Sequence, residues 1–318
     1  MVGIVKGTGS CVPTQLVSNH KIAGLVNTSH SWIHERTGIT NRHIVETETT
    51  VSMATTAAIH AIENASIDVS TIDMIIVATM TADVIMPNVG CMVQQNIEAT
   101  NAVCLDLNVA CSGFIFAYHT AQAYIQTQAA KCVLVIGAES LSNIVNWEDR
   151  STCILFGDGA GAVVMVAEEG CSYPMVMHAM GEKGAVLTCK HIYPTTKENI
   201  KQYIQMDGQA VFQFAVRQVP QSIQELVQKL EVTIDAIDLF VLHQANRRIV
   251  EAVAKRVGVP IEKFPMNIEQ YGNTSSASIP ILLDELNREK KLRKGMKIIL
   301  CGFGAGLTWG SSYMEWQS

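Results

Sequence analysis

The chain has 318 residues, of which 48% are hydrophobic and 16% are charged, and its formal net charge is −6. This composition excludes a disordered chain, and the negative balance argues against bulk affinity for nucleic acid. No apolar run approaches the roughly 20 residues that cross a bilayer, and the N-terminus lacks a secretory pattern. Nine cysteines without a C-x-x-C pair are typical of reduced thiols, so we expect a soluble cytoplasmic protein.

Strands and helices are predicted to alternate along the chain, which favours an α/β architecture. In the first half, the predicted buried strands are 73–79, 102–107 and 132–136. The segment 112–129 has a wide apolar face and is predicted to form a largely buried helix. In the second half, the predicted elements are a long amphipathic helix near 210–230, a strand at 239–242, a helix at 246–257 and a strand at 297–301.

Two glycine-rich turns, at 157–161 and 302–306, each precede an apolar stretch and are consistent with an internal duplication. The segment 168–205 is polar and irregular, and we expect it to connect two halves. The predicted domains are therefore 1–168, which contains the candidate nucleophile described next, and 169–318.

Cys111 is a candidate nucleophile because it follows a strand and a short turn and immediately precedes a helix. Unpaired N–H groups and the dipole at a helix start favour a thiolate, and Gly113 leaves room for a substrate. An ordinary buried thiol is an equally good interpretation of this local sequence. The other cysteines lie in apolar runs or ordinary loops, and we expect them to be structural.

His243 ends an apolar strand, and Asn273 lies in a Tyr-Gly-Asn-Thr turn. Taken singly, each is more often a structural residue. Together with Cys111 they fit a thiol enzyme that holds an acyl group on sulfur and stabilises negative charge with neutral hydrogen-bond donors.

The chain resembles β-ketoacyl-[acyl-carrier-protein] synthase III, the condensing enzyme that starts bacterial fatty-acid synthesis, nearly from end to end. The motifs that carry this resemblance are WIHERTGI (32–39), ACSGF (110–114), DRSTCILFGDGAGA (149–162), MDG (206–208), HQANRRI (243–249), GNTSSASIP (272–280) and GFGAGLTWG (302–310). It implies an α/β thiolase fold, in which two similar halves form a five-layer α-β-α-β-α body, and a homodimer.

The resemblance also implies residue roles. Cys111 would attack an acyl-CoA thioester, and the backbone N–H groups of Cys111 and Ala305 would bind the oxyanion. His243 and Asn273 would donate hydrogen bonds to the thioester carbonyl of malonyl-acyl-carrier protein and stabilise the enolate left when carbon dioxide departs. The products would be 3-oxoacyl-carrier protein, CoA and carbon dioxide. No metal or organic cofactor is required.

The resemblance places CoA and the carrier protein on neighbouring surfaces. Trp32 and Arg150 would sandwich the adenine of CoA, with Arg36 and Asn246 as further contacts. Trp32 in core packing and Arg36 in an ion pair are the structural alternatives. An acidic carrier protein would bind a local positive patch beside the site. The residues expected in that patch are Gln244, Arg247, Arg248, Lys255 and Arg256. A merely solvated helix face is the alternative for the patch.

The acyl pocket is expected to contain Met86, Phe156, Ile204 and Phe303. Met86 stands where many acetyl-preferring relatives carry phenylalanine, a side chain that in the family reaches into the partner's pocket. Because methionine is flexible, we expect tolerance of primers longer or more branched than acetyl.

The leading hypothesis is a 3-oxoacyl-carrier-protein synthase III that begins fatty-acid synthesis by a decarboxylating Claisen condensation. A second hypothesis keeps the fold and the triad of Cys111, His243 and Asn273. The enzyme would then make a specialised metabolite, such as a polyketide or quinolone precursor, or would only transfer acyl groups. A third is a catalytically silent dimerisation partner. The intact triad, both glycine loops and the Trp-Arg pair argue against the third reading.

Overall fold

The computed structural model describes residues 1–171, 173–190 and 203–317. Its strands are β1 (Val2–Cys11), β2 (Gln15–Ser18), β3 (Asn41–Ile44), β4 (Met74–Ala78), β5 (Val103–Leu107), β6 (Cys132–Glu139), β7 (Gly159–Glu168), β8 (Met175–Ala179), β9 (Leu187–Thr188), β10 (Gln205–Met206), β11 (Leu239–Leu242), β12 (Lys297–Gly304) and β13 (Thr308–Glu315). Its α-helices are α1 (Asn19–Ala23), α2 (His30–Thr37), α3 (Thr50–Ala65), α4 (Val89–Asn96), α5 (Gly113–Gln126), α6 (Arg150–Cys153), α7 (Gly208–Lys229), α8 (Arg247–Val257), α9 (Ile268–Tyr271) and α10 (Ser278–Arg288).

Two main sheets share one pattern of strand pairing. The first has the order β1-β7-β6-β4-β5, in which β4 is parallel to β5 and β6 while β7 is antiparallel to β6 and β1. The second has the order β11-β12-β13-β8, in which β11 is parallel to β12 while β13 is antiparallel to β12 and β8. Every strand of the first sheet ends by Glu168, and the second sheet begins at Met175.

The hydrophobic cores stack these elements into five layers. One core packs α3 and α4 against the outer face of the first sheet, and another packs α7 and α8 against the outer face of the second. Between the sheets lie α5 and α10, whose apolar side chains contact both inner faces. A helix covered on two sides needs apolar residues around most of its circumference, as α5 has. The predicted α-β-α-β-α arrangement is confirmed.

Three predictions from the sequence need correction. The segment 102–107 is not a buried strand, because β5 lies at the edge of its sheet and exposes Val103. The described part of 168–205 is not wholly irregular, since it holds β8, β9, the start of β10 and a 3₁₀ turn at Gly181–Val186. The second glycine run does not form a single turn, because β12 continues to Gly304.

A fourth, smaller cluster caps the fold above the carboxyl ends of the strands. It contains Ile33, Ile39, Leu155 and Phe156 and joins α2 to the loop that follows α6. Parallel strands direct their carboxyl ends toward ligand sites, so this cap lies where a substrate cavity is expected. No helix of the described residues is both long and apolar enough to cross a membrane.

Candidate active site

Cys111 lies in a tight turn between β5 and α5. The predicted helix at 112–129 begins one residue later than expected, because a 3₁₀ turn (Ala110–Ser112) precedes α5, and it ends at Gln126 with Thr127 as its C-cap. Ala110 in this turn has φ +45°, a left-handed conformation that is unfavourable for a residue with a Cβ. The turn is tied to the second sheet by a 2.6 Å hydrogen bond between the hydroxyls of Ser112 and Thr308.

The end of β12 passes directly against the nucleophile. A Cβ added to Gly304 would lie 2.8 Å from Cβ of Cys111 and 3.0 Å from its backbone nitrogen. Only glycine therefore allows β12 to approach this closely. The close approach brings the following residue, Ala305, into the same cavity as Cys111.

His243 follows β11 and is held by β12 and α10. Its backbone N–H donates to the carbonyl of Cys301 at 2.8 Å, and its ring Nδ1 lies 2.7 Å from the Ser278 hydroxyl. The ring also meets Phe303 edge to face, with 5.1 Å between ring centroids. His243 is only 1% exposed, and burial lowers its pKa to about 3. The imidazole is therefore neutral at physiological pH.

Asn273 is oriented by its own turn. Its side-chain Oδ1 accepts the backbone N–H of Ser275 at 2.9 Å. Its backbone N–H donates to Leu155 at 2.9 Å, and its carbonyl accepts from Gly157 at 3.0 Å. The amide oxygen is thus engaged, and no partner of the NH₂ group is found among the described residues. Asn273 lines the cavity, where its NH₂ group can donate to a ligand.

The resting Cys111 is a neutral thiol. Burial raises its pKa to about 12, a hydrogen bond from Ser275 acts in the opposite direction, and the nearby Glu139 raises the pKa further. The expectation that the start of the helix favours a thiolate is therefore outweighed by desolvation in the unliganded protein.

A cavity of about 240 Å³ joins Cys111, His243 and Asn273 to the surface. The walls are largely apolar and come from both halves of the chain. Besides the small residues and the three candidate catalytic residues, the apolar or sulfur-containing side chains that line it are Trp32, Met80, Ile154, Leu155, Phe156, Leu187, Cys189, Ile204, Met206, Val211, Phe212, Ile249 and Phe303. Three of the four residues expected in the acyl pocket thus line it. Met86 does not, and its side chain is 84% exposed.

Trp32 lies at the outer end of the cavity between two guanidinium groups. Arg36 Cζ lies 4.6 Å from the Trp32 ring centroid, and Arg150 Cζ lies 4.8 Å from it. A base stacked between Trp32 and Arg150 needs about 7 Å or more between them, so the stacking slot is closed in this state. Arg150 also donates to the carbonyl of Asn27 at 3.1 Å, a contact that the arrival of a base would disturb.

Asn246 lines the cavity, but its side chain is already engaged. Its Oδ1 caps α8 by accepting the backbone N–H of Arg248 at 2.8 Å, and its Nδ2 donates to the carbonyl of Arg36 at 3.0 Å. This residue therefore holds α2 and α8 together. Its contact with CoA stays a prediction.

The predicted carrier-protein patch is smaller than expected. Arg248, Lys255 and Arg256 are exposed on α8. Arg247 is half-buried, with its Nη1 3.5 Å from His34 and its Nε 3.5 Å from Glu251.

Gln244 was wrongly included in the patch, because it is only 1% exposed. Its Nε2 donates to the carbonyl of Leu242 at 2.8 Å, and its Oε1 accepts the N–H of Asn267 at 3.3 Å.

Several residues that build the site were not singled out from the sequence. Glu139 is fully buried and accepts hydrogen bonds from the hydroxyls of Thr81 at 2.6 Å and Ser276 at 2.9 Å. Burial raises its pKa to about 7. The signals for these residues were an acidic residue at the end of an apolar strand and the run of hydroxyls that follows Asn273.

The assembled groups are suited to thioester chemistry. A buried thiol shares a largely apolar cavity with a neutral imidazole and an oriented amide, two groups that can stabilise negative charge on a carbonyl oxygen. Across residues 1–171, 173–190 and 203–317, no group of three or more His, Cys, Asp or Glu residues is arranged to hold a metal ion.

Comparisons with known proteins agree with this chemistry. Residues 105–184 match the family model described as 3-oxoacyl-[acyl-carrier-protein] synthase III, and residues 227–316 match the model of its C-terminal part. The chain is 44% identical to β-ketoacyl-[acyl-carrier-protein] synthase III of Clostridium acetobutylicum, over 98% of this chain and 97% of that protein.

Solved structures extend the comparison to the fold. The crystal structure of 3-oxoacyl-[acyl-carrier-protein] synthase III from Aquifex aeolicus superposes with a TM-score of 0.94 and 40% identity, covering 99% of this chain and 100% of that one. The priming β-ketosynthase of the R1128 polyketide pathway superposes with a TM-score of 0.96 and 33% identity, covering 100% of this chain and 97% of that one.

Proposed function

The chain belongs to the β-ketoacyl-[acyl-carrier-protein] synthase III family, and from this membership we propose how its residues share the condensation reaction. The protein is an acyltransferase that begins fatty-acid synthesis by joining an acyl-CoA primer to malonyl-acyl-carrier protein. The observation that carries the proposed roles is the meeting of Cys111, His243 and Asn273 in one buried cavity.

In the first half-reaction, Cys111 attacks the carbonyl of the acyl-CoA thioester. The backbone N–H groups of Cys111 and Ala305 bind the oxygen as it becomes negative. The C–S bond to CoA then breaks, and CoA leaves as its thiol with the proton that Cys111 has lost. This half-reaction is neutral in protons, which fits a nucleophile that is protonated at rest.

In the second half-reaction, malonyl-carrier protein replaces CoA, and His243 and Asn273 donate to its thioester carbonyl. The bond to the carboxylate breaks, carbon dioxide leaves, and the electron pair becomes an enolate that the two donors stabilise. The enolate carbon attacks the acyl-Cys111 carbonyl, and the Cys111 sulfur leaves as a thiolate that takes up a proton from solvent. Neutral donors suit this step because they hydrogen-bond to the enolate oxygen without transferring their protons to it.

The substrate surfaces follow from the cavity. CoA enters past Trp32, Arg36 and Arg150, with Arg150 moving to admit the adenine. The acidic carrier protein binds Arg248, Lys255 and Arg256, the exposed cations of α8. Phe156, Ile204 and Phe303 surround the acyl chain. The chemistry uses only these side chains and backbone groups, with acyl-CoA and malonyl-carrier protein as substrates and no cofactor.

We also propose a cytoplasmic homodimer. The edge strand β5 exposes Val103, and the three consecutive apolar residues Val84, Ile85 and Met86 are also exposed. A second copy on this surface would cover it and would bring Met86 to the partner's acyl pocket. The four buried cysteines of the described residues, Cys111, Cys132, Cys153 and Cys301, are free thiols, which supports a reducing compartment.

Intact-mass measurement tests this function most simply. After incubation with acetyl-, isobutyryl- and hexanoyl-CoA, the protein should gain the mass of one acyl group, and the Cys111→Ala variant should gain none. Addition of malonyl-carrier protein should then remove the group and release carbon dioxide. Acylation that persists in the Cys111→Ala variant would refute the assigned nucleophile. Strict preference for acetyl-CoA would refute the adaptable pocket proposed from Met86.

A second candidate is a priming synthase of polyketide type, favoured by the TM-score of 0.96 to the R1128 enzyme. The higher identity to the Clostridium synthase, 44% against 33%, supports the fatty-acid role. The choice of carrier protein separates the two. Equal or faster condensation with a polyketide carrier protein than with the fatty-acid carrier protein would favour the second candidate.

A further inference from the structure

The hydroxyl of Ser278 is 2.7 Å from Nδ1 of His243, and both residues are buried. We propose that Ser278 is a positioning residue that donates its hydrogen to Nδ1 and thereby keeps the His243 proton on Nε2. Nε2 is the ring nitrogen left for the substrate carbonyl. This inference rests on the proposed function, since it concerns the donor that decarboxylation requires.

The Ser278 hydroxyl has more potential partners than hydrogens to donate. A serine hydroxyl has one hydrogen to donate and two lone pairs. The backbone N–H of Gln244 approaches Oγ at 3.3 Å and uses one lone pair. Two acceptors then compete for the single hydrogen, namely Nδ1 of His243 at 2.7 Å and the carbonyl oxygen of Ser275 at 2.9 Å.

The Ser275 carbonyl does not depend on this hydrogen. It already accepts the backbone N–H of Ser278, at the point where the turn after Asn273 enters α10. The hydroxyl can therefore face the imidazole without leaving a buried carbonyl unpaired. Of the two acceptors, Nδ1 of the imidazole lies closer to the hydroxyl. If the hydroxyl donated to the Ser275 carbonyl instead, Nδ1 would have to carry a proton and donate it to Ser278.

The position of that proton decides what His243 offers to the substrate. Burial holds the pKa of His243 at about 3, so the ring carries one N–H and not two. A proton on Nδ1 would present a lone pair to the enolate oxygen and repel it. A proton on Nε2 presents a donor.

One short turn thus orients both proposed donors. The N–H of Ser275 engages Oδ1 of Asn273 and leaves its NH₂ group free, and the hydroxyl of Ser278 engages His243 and leaves Nε2–H free. Ser275, Ser276 and Ser278 are all buried in this turn. The Ser276 hydroxyl contacts Glu139 and the carbonyl of Ala78, each at 2.9 Å, and so engages different groups from the Ser278 hydroxyl.

The test compares Ser278→Ala with Ser278→Thr, which keeps the hydroxyl, and with Ser276→Ala, which removes a buried hydroxyl from the same turn. Acyl transfer to Cys111 is followed by intact mass, and carbon dioxide release from malonyl-carrier protein is measured separately. The His243 tautomer is read from ¹⁵N-histidine spectra, with a His243→Gln variant to assign its signal. Melting temperatures establish that each variant is folded.

In the Ser278→Ala variant we expect acylation to stay within about twofold of the parent. Carbon dioxide release should fall about tenfold, the effect of losing one hydrogen bond. The ¹⁵N signals should move from the Nε2–H pattern toward Nδ1–H. Ser278→Thr should restore the parent values, and Ser276→Ala should leave both the tautomer and the ratio of the two rates unchanged.

Two results would overturn the inference. The first is a His243 that carries its proton on Nδ1 in the parent protein. The second is a Ser278→Ala variant that loses both half-reactions in equal proportion, as Ser276→Ala also does. A parent protein that acylates but never releases carbon dioxide would instead refute the proposed function, and the spectra would still decide the tautomer.

Discussion

The floor of the cavity (Cys111, His243, Asn273 and Gly304) and its mouth (Trp32, Arg36 and Arg150) are held by different means. On the floor, hydrogen bonds with the Ser278 hydroxyl and the Ser275 backbone N–H fix the side chains of His243 and Asn273. At the mouth, Arg36 and Arg150 are exposed and stack on one half-buried indole. A fixed floor suits groups that stabilise a transition state, and a mouth that opens suits a ligand that must enter and leave. Changes to the floor should therefore lower the rates of the half-reactions, whereas changes to the mouth should weaken the binding of acyl-CoA.

The largest expected effect comes from Gly304→Ala. The added Cβ would meet the backbone and Cβ of Cys111 at 2.8–3.0 Å, so β12 and the adjacent Ala305 N–H must shift. Acylation by acyl-CoA should slow by about 10²-fold, as when an oxyanion donor is lost. The measurement is the single-turnover rate of acyl transfer. Gly181→Ala is the control, since no atom lies within 4 Å of its added Cβ. An unaffected Gly304→Ala enzyme would show that the floor tolerates displacement.

The second effect concerns the protonation of the nucleophile. At pH values below its pKa of about 12, the fraction of Cys111 present as thiolate rises tenfold for each unit by which the pH increases. Alkylation of Cys111 by iodoacetamide in the unliganded protein should therefore rise about tenfold per unit between pH 7 and pH 9. The rate is measured by peptide mass spectrometry. A plateau already reached at pH 7 would mean that the helix start outweighs burial.

The third effect belongs to the mouth. Arg150→Ala removes a guanidinium that stacks on Trp32, and it also opens the closed slot. We expect the KM for acyl-CoA to rise about tenfold while kcat changes little, because binding is lost and the floor is untouched. Arg293→Ala, an exposed arginine outside the cavity lining, serves as the matched control. A large fall in kcat with an unchanged KM would show that Arg150 affects the chemical step, as the floor residues do.

The smallest effect is expected on α8. Lys255→Glu reverses one exposed charge in the proposed carrier-protein patch. The KM for malonyl-carrier protein should rise about threefold at low salt, and the difference should shrink as salt screens the charges. Lys294→Glu provides the same charge change at another exposed lysine. Equal effects of the two variants would show that only net charge matters and would remove Lys255 from the patch.

The sequence predicted the fold and the floor because both depend on residue types in order along the chain. Alternating elements indicated an α/β architecture, and the resemblance supplied the five layers and the roles of Cys111, His243 and Asn273. Gln244 was misplaced because its burial depends on packing with Asn267, far along the chain. The closed stack of Arg150 on Trp32 was also not predictable, since it depends on side-chain conformation. Ser278 has no sequence signature, because a serine that contacts a histidine resembles any serine in a turn.

The most direct test of the division of labour is the His243→Ala variant, examined in both half-reactions. We expect that the variant still forms the acyl adduct on Cys111, at a rate within about threefold of the parent. We also expect that carbon dioxide release from malonyl-carrier protein falls by about 10²-fold or more, since one of two enolate donors is gone. Loss of the acyl adduct in a folded His243→Ala protein would contradict the account, because His243 would then be needed to activate Cys111.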